Sequence, residues 1–75
     1  MIDYFGALKI LESKGFKKKS QENKLNSFKS KFEIGDFEIV LEVQIGGYIL
    51  SAEKTKGGLK SYVDLENIES IFKSL

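Results

Sequence analysis

Between Phe28 and Glu53 the sequence alternates apolar and polar residues with a period of two, interrupted at Gly35-Asp36 and at Gly46-Gly47. That period sends successive side chains to opposite faces of an extended strand, and glycine-containing two-residue breaks are strong hairpin signals. Phe28, Ser30, Phe32 and Ile34 form one apolar-side set. Phe37, Ile39, Leu41, Val43 and Ile45 form a second, and Tyr48, Leu50 and Ala52 a third.

The registers are testable by arithmetic. A two-residue loop at 35–36 pairs Ile34 with Phe37, Phe32 with Ile39 and Phe28 with Val43, and on the other face Lys29 with Glu42. A two-residue loop at 46–47 pairs Val43 with Leu50 and Leu41 with Ala52. Both registers put the same apolar set on one face, and a slip of one residue would invert it. A third, four-residue turn at Thr55–Gly58 then places Glu53 opposite Lys60.

Helices are expected on either side of this meander. Residues 3–14 carry Asp3 as N-cap, Gly15 as the residue after the C-cap, and a stripe of Tyr4, Phe5, Ala7, Leu8 and Leu11. Asp64 caps a second helix over 65–75, with Leu65, Ile68, Ile71, Phe72 and Leu75 as its stripe. The polar run 17–27 reads as a mobile connection that includes a short edge strand from Phe16. The expected fold is a single α+β domain over 1–75. It has two layers: an N-terminal helix, a three- or four-stranded antiparallel meander, and a C-terminal helix on the same sheet face.

Composition narrows the chemistry. The chain has 75 residues, and none is Cys, His, Pro or Trp; all twelve basic residues are lysine. Disulfides, the usual zinc ligands and Cys–His or Ser–His catalytic pairs are therefore excluded. Glu33 and Glu38, paired across the first hairpin with Asp36 in its turn, read as two solvated carboxylates and not as a cation site. Gly57-Gly58 lacks the spacing and the strand-to-helix context of a phosphate loop and reads as a hairpin turn. The expectation is a non-catalytic chain with no cofactor and no metal.

No apolar run reaches the length of a membrane span, and residues 1–4 lack the basic start and apolar stretch of a signal peptide. A cytoplasmic protein with no membrane partner is expected. Residues 1–31 hold eight lysines against three acids, net +5, and residues 32–75 four against eight, net −4.

A domain this small buries only about 60% of its unfolded surface, so a partner or second copy would add useful buried area. The preferred function is a small protein-binding module, an inhibitor or adaptor of a phage or mobile element from an AT-rich genome, with homo-oligomerisation as one form of partnership. Its contact candidates are Val40, Ile49 and Tyr62 on the outer sheet face, with Ile2 and Ile10 beside Gly6 as a second surface. The alternative is a sequence-tolerant nucleic-acid binder using segment 14–31. There Lys17, Lys18, Lys19, Lys29 and Lys31 would meet phosphates, and Phe16 and Phe28 would stack on bases.

Overall fold

The computed structural model describes residues 2–75. Its elements are α1 (Tyr4–Ser13), β1 (Lys17–Asn23), β2 (Ser27–Ile34), β3 (Phe37–Gln44), β4 (Tyr48–Lys56), β5 (Leu59–Tyr62), a 3₁₀ turn (Leu65–Asn67) and α2 (Ile68–Lys73). The strands form one antiparallel sheet in the order β1-β2-β3-β4-β5, and both helices cover the same face. The α+β architecture is as expected, but the sheet has five strands. At one edge stands β1, in the run where a mobile connection with a short edge strand from Phe16 was expected; it is a full seven-residue strand. Its seven residues are all exposed, so they carry no apolar periodicity, and backbone pairing to β2 alone makes them a strand.

The β2–β3 register agrees with the expectation pair for pair, from Ser27 opposite Gln44 to Ile34 opposite Phe37. The β3–β4 hairpin does not. Its loop has three residues, Ile45–Gly47, closed by the Gly47 amide donating to the Gln44 carbonyl at 2.9 Å, and Gly46 and Gly47 both adopt positive φ (110° and 99°). One extra loop residue shifts the register by one, which would turn every β4 side chain over. A β-bulge at Leu50 absorbs the shift, so Glu42 again opposes Ser51 and Leu41 opposes Ala52. The consequence falls on two residues. Ile49 points into the core (4% exposed) and Leu50 points out (43%), the reverse of the expectation.

The last hairpin turns on Gly57-Gly58 alone, with Lys56 opposite Leu59 and Glu53 opposite Tyr62. This differs by two residues from the expected register, so the faces are unchanged, and Lys60 still reaches Glu53 diagonally at 3.1 Å. The C-terminal segment is not one helix. Asp64 caps the 3₁₀ turn through the Glu66 amide, and α2 begins only at Ile68. Ile68 and Phe72 are nonetheless buried, with Leu65, Ile71 and Leu75 packed around them.

Helix α1 is held at both ends. The Asp3 carboxylate accepts from the Gly6 amide at 2.9 Å, and the Tyr4 amide donates to the Gly47 carbonyl at 2.8 Å. At the other end Gly15 (φ 93°) lets its own amide reach Glu12 and the Phe16 amide reach Leu11, which brings Phe16 onto Leu11. Tyr4, Ala7 and Leu11 are buried, but Phe5 projects to solvent. Inside the core the Tyr4 hydroxyl meets the Ser30 hydroxyl at 3.1 Å, and the Tyr4 ring stands edge-on to Phe28. Ser30 is the one fully buried polar residue among those described.

Removing only the Tyr4 hydroxyl (Tyr4→Phe) leaves the Ser30 hydroxyl buried without a partner, and we expect a loss of about 1–3 kcal/mol. Urea unfolding should show that the double variant Tyr4→Phe/Ser30→Ala regains most of that loss. A double variant no more stable than the single one would mean that the hydroxyl pair is not what the single change disrupts.

Candidate protein-binding surfaces

The sheet face away from the helices is a charged lattice set by the strand registers. One row runs Glu22, Lys29, Glu42, Ser51; the next runs Ser20, Lys31, Val40, Glu53, Tyr62. Val40 is half-buried in a shallow groove of about 300 Å³ between Lys29, Lys31, Glu53 and Lys60. Tyr62 shares this face and is 78% exposed. Ile49 does not share it, because the bulge turns it into the core, so the expected three-residue patch reduces to two residues in a polar setting. Ile2 and Ile10 are half-buried and pack against the core.

The lysines fare differently from one another. The β1–β2 register shifts between Lys18 and Ser20, and Lys19, the residue at the shift, reaches Glu33 (3.4 Å) and Glu38 (3.5 Å), the like-charged pair that face each other across β2 and β3. The hydrogen bond to Glu33, then its charge, then Glu38 raise the Lys19 pKa above the ordinary 10.5. Lys24 pairs with Glu42 at 3.3 Å, a carboxylate the register places opposite Lys29. Lys18 lies on the helix-side face of β1 and donates to the Gln21 side chain, while Lys17 stands opposite Glu33. Lys29 and Lys31 have no carboxylate within 4 Å among the described residues. The +5 and −4 portions of the sequence therefore interleave in space. Phe16 is buried and Phe28 packs on Tyr4, so neither is free to stack on a base.

On α2, Lys73 binds Glu69 at 2.8 Å, and that hydrogen bond, followed by the lysine charge, lowers the Glu69 pKa. No group of three or more Asp or Glu side chains arranged to hold a metal ion occurs among the described residues. No helix among them is long and apolar enough to cross a membrane.

The exposed apolar residues gather elsewhere. Five of the eight large ones, Phe5, Leu25, Ile45, Tyr48 and Leu50, occupy one end of the sheet. The geometry is set by backbone: the Ile45 amide donates to the Asn26 carbonyl at 3.0 Å, joining the β1–β2 and β3–β4 loops, and the Phe5 ring lies against Gly47. Leu25 is 92% exposed at this end. At the same end, β4 residues Tyr48–Ser51 have no strand on the side away from β3, since β5 pairs only with Glu53–Lys56. A lone leucine within the polar run and an isoleucine just before Gly46-Gly47 were the available sequence signals. They were masked because both fitted a loop or a core stripe.

No protein-family model matches the chain, and no curated protein and no solved structure matches it significantly.

Replacing Lys19 by Gln should unmask the Glu33–Glu38 repulsion and lower the thermal midpoint at neutral pH and low salt. Because the folded pKa of Lys19 is raised, its contribution is complete below 10.5 and fades as pH rises through the folded value. The difference between wild type and Lys19→Gln should accordingly close in strong alkali and in high salt. A difference independent of both would assign the effect to backbone pairing at the bulge.

Proposed function

We propose that the chain is a small non-catalytic protein-binding module, an inhibitor or adaptor, whose contact surface is the loop end of the sheet. The observation that carries this reading is the gathering of Phe5, Leu25, Ile45, Tyr48 and Leu50 at one end, beside an unpaired stretch of β4. Large apolar side chains left in water by a small domain are the usual mark of an interface, and aromatic anchors among them are the usual hot spots. An unpaired strand segment adds backbone donors and acceptors that an extended partner segment can match.

Two further facts support binding over catalysis and over nucleic acid. The sequence has no His and no Cys, so neutral-pH proton transfer and thiol chemistry have no ready agent. The aromatics that the nucleic-acid reading needs are occupied in the core, and Lys19 and Lys24 already hold carboxylates.

The test is affinity capture with the tagged chain, followed by quantitative binding of the purified partner to variants. Ile45→Asp and Leu50→Asp, both at exposed positions, should keep the circular dichroism and thermal midpoint while weakening binding by about tenfold or more each. Lys29→Glu/Lys31→Glu, on the outer face, should leave affinity within about twofold. The opposite ranking would transfer the interface to the outer face. Light scattering across a concentration range identifies a second copy as the partner if the dimer it finds is lost in Leu50→Asp.

A further inference from the structure

The alternation that builds the core fails at one place, and the failure is informative. Positions facing the helices on β4 run Ile49, Ala52, Lys54, Lys56, so two lysines stand where the pattern calls for apolar residues. Their partners on that face are Phe37 and Ile39 of β3, and Leu59 and Ser61 of β5. On this side α2 closes at Lys73, and Leu75 lies beside the two lysines. What remains is a groove of about 380 Å³ lined by Phe37, Lys54, Lys56, Leu59, Ser61 and Leu75.

The floor is apolar and partly rigid. The Phe37 ring is fixed edge-on against Phe16 with centroids 5.4 Å apart, and Leu59, 81% exposed, stands across Lys56 from it. The rim is cationic. The Lys56 ammonium sits 5.6 Å from the Phe37 ring centre, and neither Lys54 nor Lys56 has a carboxylate within 4 Å among the described residues. Elsewhere Lys19, Lys24 and Lys60 are each matched by an acid, whereas Lys29 and Lys31 on the outer face are not, and no apolar groove of this kind lies beside them. Unmatched positive charge beside uncovered apolar surface complements a molecule with one anionic head and a short apolar tail. The volume lies near the lower limit of small-molecule sites, enough for a single chain or ring.

We infer that this groove binds a medium-chain monocarboxylate, its head between the Lys54 and Lys56 ammonium groups and its tail on Phe37, Leu59 and Leu75. The groove lies at the Gly35-Asp36 and Gly57-Gly58 end of the sheet, away from Ile45 and Leu50, so it is independent of the protein-binding reading.

The experiment is a titration of the isotopically labelled chain with octanoate, followed by backbone amide NMR, with octanol and acetate as the neutral and tailless probes. Saturable shifts are expected at Lys54, Lys56, Leu59, Ser61 and Leu75, with octanol and acetate each at least about tenfold weaker than octanoate. Lys54→Gln/Lys56→Gln should lose about tenfold for octanoate and leave octanol unchanged. Leu59→Glu, at an exposed position that folding does not require, should abolish binding of both. No saturable shift, octanol binding as tightly as octanoate, or shifts confined to Ile45, Tyr48 and Leu50 would each overturn the assignment.

Discussion

Phe28 and Phe32 on β2 face Val43 and Ile39 on β3, and everything else in the molecule is laid against that pair of strands. The two-residue Gly35-Asp36 turn fixes their register, and the register fixes which side chains are dry. Helix α1 lands on this surface through Tyr4, and α2 through Ile68 and Phe72. Strands β1 and β4 extend it by backbone pairing on either side. A chain without disulfides or metal ligands has no other means of fixing its core, so a polar replacement at Phe32 or Leu41 would remove the platform as a whole.

The central hairpin was legible because its apolar period and its turn agree at every position. The helix caps Asp3 and Asp64 were legible for a similar reason: each cap is a short-range hydrogen bond whose residue type announces it. Strand β1 was legible only as a short edge strand within a mobile connection, since a strand with both faces wet has nothing for a hydrophobic period to record. The orientation of Ile49 and Leu50 was lost to a loop longer by one residue and a bulge that repaired the register three residues later. Both residues are large and aliphatic, so neither hydropathy nor propensity separates them. The loop-end surface was missed with them, because its existence depends on which of the two points outward and on two loops meeting through the Ile45 amide.

Charge behaves in the same way. Read linearly, the lysines collect in the first part of the chain and the acids in the rest, which suggests a polar molecule. Antiparallel pairing folds one part against the other, and the Lys19 bulge sets a cation between two glutamates that the β2–β3 register forces together. Among the lysines left without a carboxylate within 4 Å are Lys29 and Lys31 on the open face, and Lys54 and Lys56 at one corner on the helix side.

Helix α1 carries two neighbouring rows, Tyr4–Ala7–Leu11 and Phe5–Leu8–Glu12, alike in apolar character over their first two positions and parted at the third. Rolling the helix by one residue would bring Phe5 and Leu8 in for Tyr4 and Ala7, but it would also carry Glu12 into the place of buried Leu11. It would also strand the Ser30 hydroxyl in a dry interior, a penalty that falls on the rolled arrangement only. A single serine under the helix thus adds a polar key to its rotational setting, favouring the same seating of α1 that buried Leu11 favours.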